Sequence, residues 1–182
     1  MGESRGRKMA SLIIVAGLAV HALGAQAAVA GPVNPAWIKV DADSKTVEFM
    51  ATAGMNSTNG GMNFNGTTAG ALRLSVPVGW TVMIHFKNSD QGFPHSLEVI
   101  GATMPLPTGS VPPAFAHAAT GQMVQGMAAG GHQDVRFVAD KAGEYVIYCP
   151  VPTHGLLGMW MRMEVSASLT VPTLTAVKPG AK

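Results

Sequence analysis

The stretch EYVIYCPVPTHGLLGMWMRMEV, residues 144–165, decides the fold. Residues 144–149 are predominantly apolar and predict a strand, and residues 159–165 predict the next one. Between them, Cys149, His154 and Met159 place a thiol, an imidazole and a thioether at intervals of five residues. A single loop at one end of a pair of strands can therefore bring three different donor groups to one point.

Short runs of alternating apolar and polar residues continue this pattern along the chain. The predicted strands are residues 37–40, 46–51, 72–76, 82–87, 95–100, 135–138, 144–149 and 159–165. Gly, Pro, Asn and Asp bound these runs, and no stretch after Ala30 keeps a helical period beyond about two turns. Seven or eight short strands with such turns predict an all-β fold, a Greek-key sandwich or barrel.

Composition divides the chain into three parts. Residues 1–30 combine a basic start, an apolar run and small residues around 25–30, which is typical of a secretory signal peptide. An uncleaved N-terminal anchor is the alternative. Residues 31–165 form the predicted domain, and the Ser-, Thr- and Pro-rich residues 166–182 predict a flexible C-terminal tail. We therefore expect an exported, periplasmic protein that meets a membrane only through a partner or an uncleaved anchor.

The charge balance excludes several functions. Of 182 residues, 47% are hydrophobic and 12% are charged, so the chain has enough apolar surface to fold. Outside residues 1–30, nine basic and nine acidic side chains remain, and no basic cluster suited to nucleic acid is present. No carboxylate pair, Gly-x-Ser-x-Gly motif or phosphate-binding glycine loop is found, so we expect a protein that is not an enzyme.

Cys149 is the single cysteine, which excludes a disulfide framework and a multi-cysteine zinc site. Thiolate and thioether suit Cu(I) and imidazole suits Cu(II), and two His with a Cys and a weak axial Met form a blue-copper electron-transfer site. Such a set needs a second histidine. His95, about fifty residues upstream and just before a predicted strand, is the favoured candidate, and His132 is the next. His85 is expected on a solvent face, and His117 lies in a long loop.

These residues resemble the cupredoxins, the type 1 blue-copper family, and within it the sulfocyanins and rusticyanins. The C-x4-H-x4-M spacing and the run at 149–160 carry the resemblance, together with NFNG at 63–66, PVGW at 77–80 and PHSL at 94–97. The resemblance covers roughly residues 37–165. It implies a cupredoxin fold with one copper ion that cycles between Cu(I) and Cu(II). The implied ligands are His95, Cys149, His154 and Met159.

By the same resemblance, the chain would carry single electrons between exported or membrane redox partners. A c-type cytochrome or a terminal oxidase would be a partner of this kind, and the carrier would be a monomer. We expect electrons to leave through His154. An apolar shell and rim are expected from Phe93, Pro94, Val151, Leu156, Leu157 and Trp160.

A periplasmic copper chaperone or storage protein is the alternative function. The chain holds 12 methionines, and Met123, Met127 and His132 in or beside the long loop 102–131 could bind a second copper ion. The plain explanation for most of these methionines is packing in the core and loops. A chaperone would use exposed Met and His sites that release Cu(I), whereas a closed site with a cysteine would hold Cu(II) firmly.

Overall fold

Nine β-strands pair into two sheets over residues 1–2 and 33–178, which the computed structural model describes. The strands are β1 (Ile38–Asp41), β2 (Thr46–Ala53), β3 (Leu72–Pro77), β4 (Trp80–Asn88), β5 (Glu98–Gly101), β6 (His132–Ala139), β7 (Gly143–Tyr148), β8 (Trp160–Ser166) and β9 (Thr173–Ala176). Short 3₁₀ turns at Pro35–Trp37 and Thr58–Gly61 accompany them. The predicted signal peptide lies outside the described residues, apart from residues 1–2.

The strand order is that of a Greek-key sandwich. One sheet runs β1-β2-β4-β6 and the other runs β5-β7-β8-β3-β9. The pairs β2–β4 and β3–β8 are parallel, and the remaining pairs are antiparallel. Between the two strands of each parallel pair, the chain passes through the other sheet, so both connections are crossovers. The predicted all-β Greek-key class is confirmed.

The core lies between the two sheets and follows the predicted alternation. In β4, Val82, Ile84 and Phe86 are buried, while the residues between them are partly exposed. In β8, Met161 and Met163 are fully buried against the same core. Each large apolar side chain removed from water contributes about 1.5–3 kcal/mol. This packing makes the ends of β7 and β8 a rigid support for the loop between them.

Two of the differences from the predicted boundaries bear on the C-terminal tail and on His95. The expected tail from residue 166 is wrong for Thr173–Ala176, because β9 pairs with β3 and Leu174 packs against the core. The Ser- and Thr-rich composition suits an edge strand with one inward leucine. The strand predicted at 95–100 begins only at Glu98. His95 instead forms an isolated bridge with Met127, which places it at the end of the sandwich rather than within a sheet.

The long loop 102–131 contains no strand, as its prolines and glycines predict, and it touches the sandwich through isolated bridges. Main-chain hydrogen bonds join Val99 to Ala118 and Ala114 to Val99. The loop therefore lies along β5. Among residues 1–2 and 33–178, no helix has the length and hydropathy of a membrane span.

Candidate metal centre

Cys149, His154 and Met159 lie on one loop that closes on itself. Cys149 directly follows β7, and Met159 directly precedes β8. The Cys149 N–H donates to the Met159 carbonyl at 3.1 Å, and the Met159 N–H donates to the His154 carbonyl at 3.0 Å. These two bonds hold the backbone of the three residues together at one end of the five-stranded sheet.

His95 enters from the connection between β4 and β5. Its N–H donates to the Met127 carbonyl at 3.1 Å, and its carbonyl accepts from the Met127 N–H at 2.7 Å. Its Nδ1 lies 3.9 Å from Cys149 Sγ, and Nδ1 of His154 lies 3.5 Å from the same sulfur. One ligand atom of each residue lies within 4.8 Å of the others. Within the described part of the chain, His95, Cys149 and His154 are the side chains of metal-binding type whose donor atoms lie close enough to share one ion.

The cluster is closed to solvent. His95 and Cys149 are fully buried, and His154 is 8% exposed. Met159 is also fully buried. Three of the four residues that the sequence nominates bring their donor atoms together, and the Met159 backbone is hydrogen-bonded to two of those three.

Burial sets the protonation of these groups in the metal-free protein. It lowers the pKa of His95, with Asp90 acting in the opposite direction. Burial and the neighbouring His95 lower the pKa of His154 to about 4. Both imidazoles are thus neutral at neutral pH and have a free lone pair. Burial raises the pKa of the Cys149 thiol, so a metal must displace its proton.

The donor chemistry fits copper. Two neutral imidazoles and a thiol converge in an apolar pocket, and a buried thioether lies on the same loop. This mixture of nitrogen and soft sulfur donors accommodates both Cu(I) and Cu(II). A closed set with few exposed edges also excludes water from the metal position.

Ser96 and Met123 secure the sulfur side of the cluster. The Ser96 N–H donates to Cys149 Sγ at 3.4 Å. The Ser96 hydroxyl donates to the Met123 carbonyl at 2.6 Å and lies 3.9 Å from the sulfur. The Ser96 hydroxyl therefore donates to the long loop, while the Ser96 backbone N–H donates to the Cys149 sulfur.

Asp90 is a residue that the sequence pattern did not reveal. Its Oδ2 lies 3.1 Å from Nε2 of His95, and its Oδ1 accepts from the N–H groups of Gly92 and Phe93. Burial by itself raises the pKa of Asp90, but the hydrogen bonds from Gly92, His95 and Phe93 outweigh it and the pKa lies below its ordinary value. An Asp five residues before the histidine, followed by a turn containing Gly92, is the sequence signal that could have found it.

The expected apolar shell is partly a surface rim. Phe93, Leu156 and Leu157 are 51%, 47% and 53% exposed, and Pro94 is also exposed. Val151 is buried beside the core, and half-buried Trp160 packs against a separate small cluster. The Phe93 ring meets the His154 ring edge-on, with centroids 6.4 Å apart. His154 therefore lies just beneath an exposed apolar rim.

The other three histidines of residues 33–178 lie outside the cluster. His85 is on the outer face of β4, as predicted, between Asp134 at 2.7 Å and Glu48 at 3.5 Å. His117 and His132 are exposed. His132, the second choice for the upstream ligand, is therefore not part of the cluster.

The methionines proposed for a second copper site have structural roles. Met127 packs against the core and pairs with the His95 backbone. The Met123 carbonyl accepts from Ser96, and its sulfur lies 3.3 Å from the Ser110 hydroxyl. Met127 therefore packs against the core, and Met123 helps to hold the long loop in place.

A Greek-key sandwich that gathers two histidines, a cysteine and a methionine at its strand ends defines a cupredoxin. The chain belongs to the sulfocyanin (SoxE) domain family, whose sequence model matches residues 34–176.

Comparisons with individual proteins agree with this family. Sulfocyanin of Sulfolobus acidocaldarius is 27% identical over 136 residues, which span 71% of this chain and 68% of the relative. Reduced rusticyanin shares 24% identity with a TM-score of 0.52, over 66% of this chain and 79% of that one. Rusticyanin from Thiobacillus ferrooxidans shares 23% identity with a TM-score of 0.52, over 71% and 86%. The structural likenesses show the same fold.

Proposed function

We propose that this chain is a type 1 blue-copper electron carrier and not an enzyme. His95, Cys149, His154 and Met159 would hold one copper ion. The observation that carries the proposal is the convergence of three donor atoms within 4.8 Å of one another, on side chains that are almost completely buried. Family membership supports it, and rusticyanin, which has the same fold, is described as a copper protein.

Bound copper would supply a one-electron change of oxidation state. The chain supplies a site that changes little during that step. The loop is closed by main-chain hydrogen bonds, and Pro150 and Pro152 stiffen it. Both imidazoles are neutral and the pocket is apolar, which disfavours the more highly charged Cu(II) and raises the reduction potential. A preorganised donor set of this kind keeps the reorganisation cost of electron transfer small.

We assign electron exchange to the rim around His154. Phe93 meets the His154 ring edge-on, Leu156 and Leu157 follow His154 by two and three residues, and all three apolar side chains are exposed. The near-neutral charge outside residues 1–30 favours a transient partner recognised by apolar contact. The partner would be another redox protein, such as a c-type cytochrome or a terminal oxidase, and the carrier itself would be a monomer. The signal-like residues 1–30 would place this exchange in the periplasm or outside the cell.

The structure does not favour a copper chaperone. A chaperone needs accessible Met and His donors that release Cu(I). Here the donors that converge are buried and include a cysteine, whereas Met123 and Met127 are engaged in loop contacts. A closed site of this kind would retain its metal.

The decisive experiment is the visible and EPR spectrum of the purified protein with one equivalent of Cu(II). We expect intense blue absorption and a small parallel copper hyperfine splitting. Cys149→Ser should abolish both, while His85→Gln, on the outer face of β4, should leave them unchanged. An ordinary pale copper spectrum, or an unchanged spectrum in Cys149→Ser, would overturn the proposal.

A further inference from the structure

The Asp90 carboxylate connects His95 to the turn at residues 90–93. One carboxylate oxygen, Oδ2, lies 3.1 Å from His95 Nε2. The other, Oδ1, accepts from the Gly92 N–H at 2.8 Å and from the Phe93 N–H at 3.2 Å. The Asp90 N–H donates in turn to Oδ1 of buried Asn88 at 2.9 Å. The carboxylate is therefore fixed on both sides before it meets the histidine.

Two glycines make room for this carboxylate. Gly54 and Gly61 have φ values of 59° and 91°, and a Cβ on either residue would collide with Asp90. On Gly61, the collision would involve Oδ2, the oxygen that meets His95. The neighbouring Gly60 also has a positive φ, 64°, but a Cβ there would find its nearest atom 4.0 Å away, in Met62. The chain at 54–61 thus encloses Asp90 specifically.

We propose that Asp90 is a positioning residue that fixes the tautomer and orientation of His95. A carboxylate only accepts hydrogen bonds, so it keeps the His95 hydrogen on Nε2. The lone pair is then left on Nδ1, the nitrogen that faces Cys149 Sγ at 3.9 Å. A carboxylate behind a ligating imidazole also strengthens its donation to a metal. The part of this inference that concerns copper rests on the proposed function; the tautomer does not.

Asp90→Asn is a sharp test because both Asp90 oxygens face donors. Asparagine has one acceptor oxygen and one donor NH₂ group. If its oxygen keeps the bonds from Gly92 and Phe93, its NH₂ faces Nε2 of His95, and the ring hydrogen must move to Nδ1. The variant nearly preserves the shape of the side chain and reverses the hydrogen-bond requirement at the histidine.

The first measurement uses the metal-free protein and ¹⁵N chemical shifts of its histidine rings at neutral pH. We expect His95 to carry its hydrogen on Nε2 in the wild type and mostly on Nδ1 in Asp90→Asn. Asp134→Asn, which alters the other His–Asp contact at His85, is the matched control and should leave His95 unchanged. An unaltered His95 tautomer in Asp90→Asn would overturn the proposal, whether or not the protein binds copper.

The second measurement uses the copper-loaded protein. Asp90→Asn should weaken Cu(II) affinity by about 10–100-fold, as removal of a carboxylate behind a ligating histidine commonly does. It should also raise the reduction potential, because a less basic imidazole stabilises Cu(II) less well. Asp134→Asn should change neither quantity. Equal losses in the two variants would contradict a specific role for Asp90.

Gly61→Ala tests the enclosure without changing Asp90. The added methyl must displace Oδ2, so the potential and the His95 shifts should move in the same direction as in Asp90→Asn. Gly60→Ala carries a similar backbone strain and should leave both unchanged. If Gly61→Ala and Gly60→Ala behave alike, both glycines are needed only for the conformation of the turn. The claim that Gly61 leaves space for the Asp90 carboxylate would then be wrong. If the wild-type protein does not bind Cu(II) although His95 responds as expected in the metal-free variants, the proposed function fails and the positioning role stands.

Discussion

Tyr148 and Glu98 are opposite one another on β7 and β5, and the Tyr148 hydroxyl lies 2.9 Å from Glu98 Oε2. The same hydroxyl lies 2.8 Å from the Gly109 carbonyl. A hydroxyl has one hydrogen, so it donates to only one of these two oxygens. The second short contact needs another hydrogen, and a protonated Glu98 supplies it. Glu98 then donates to Tyr148, and Tyr148 donates to Gly109.

The surroundings of Glu98 support the neutral acid. The side chain is fully buried, and the ion pairs found among residues 33–178 do not include it. Its other polar neighbours are the Ser110 hydroxyl at 3.3 Å and the Val111 N–H. Burial raises the pKa of Glu98, and the polar contacts with Tyr148, Ser110 and Val111 only partly oppose it. The pair joins the sheet to the long loop beside the metal centre.

Glu98 therefore makes the stability of the metal-free protein depend on pH. Between its ordinary pKa of 4.5 and its raised folded pKa, the folded state keeps a proton that the unfolded state releases. The contribution is fully present below pH 4.5 and decreases as pH rises through the folded pKa. The slope is at most about 1.4 kcal/mol per pH unit for one proton. Urea unfolding from pH 4 to 8 should show that Glu98→Gln lacks this decrease.

The difference between wild type and variant isolates this effect, because His95 and His154 titrate in both proteins. Glutamine imitates the neutral acid, since it can donate to Tyr148 and accept from Ser110. Glu144→Gln, an exposed position on β7, is the control and should run parallel to the wild type. A wild type that differs from Glu98→Gln by a constant amount at every pH would show that folding does not raise the pKa of Glu98.

We expect Ser96→Ala to lower the stability of the protein without changing its copper absorption. Because its hydroxyl donates to the Met123 carbonyl, Ser96→Ala leaves that carbonyl without a partner, at a cost of about 1–3 kcal/mol. The N–H bond to Cys149 Sγ remains, so the copper absorption should barely move. Thermal unfolding and visible spectra measure the two effects, with exposed Ser168→Ala as the control. A large spectral shift at unchanged stability would mean that the hydroxyl donates to the sulfur instead.

β9 is expected to contribute to the stability of the domain. Leu174 is half-buried opposite Leu74 of β3, so Leu174→Ala should lower the free energy of unfolding by about 1–2 kcal/mol, less than a full core truncation. Thr175→Ala, on the same strand but exposed, should cost much less. Denaturant unfolding compares the two. Equal and negligible effects would mean that residues 173–176 add nothing to the sandwich.

Local patterns made most of the fold and the candidate site predictable. Strands such as β4 show a period of two, which depends only on neighbouring residues. Cys149, His154 and Met159 are on one loop, so their spacing already places them together. His95 required only the inference that a histidine just before a strand lies at the end of the sandwich.

Other features depend on contacts between distant parts of the chain. The role of Asp90 requires Gly54 and Gly61, about thirty residues earlier, to leave space for it. Glu98 has the pattern of an ordinary polar strand residue until Tyr148 is placed opposite it. β9 was missed because its composition is that of a tail, and its single inward leucine has meaning only beside β3. The sequence also could not show which apolar side chains are exposed. Leu156 and Leu157 are equally consistent with a buried shell around the metal centre and with an exposed rim.

The apolar rim gives a final prediction, about electron exchange. Leu156 is 47% exposed near His154, so Leu156→Lys introduces a charge that a docking partner must desolvate. We expect roughly a tenfold slower exchange, which corresponds to about 1.4 kcal/mol of lost encounter stability. Visible and EPR spectra should be unchanged, because the side chain is exposed and is not one of the buried donor groups. Self-exchange between oxidised and reduced copper-loaded protein, followed by NMR line broadening, measures the rate without a natural partner.

Val171→Lys is the matched control for this surface. Val171 is 50% exposed, and it lies in the connection after β8, at the end of that strand farthest from Met159. Val171→Lys adds the same charge as Leu156→Lys. Any effect of net charge on the encounter of two copies of the protein therefore appears in both variants. A slower rate only in Leu156→Lys would identify the rim as the place where electrons leave. Equal slowing in both variants would reflect charge repulsion alone, and electron exit through the His154 rim would then be wrong.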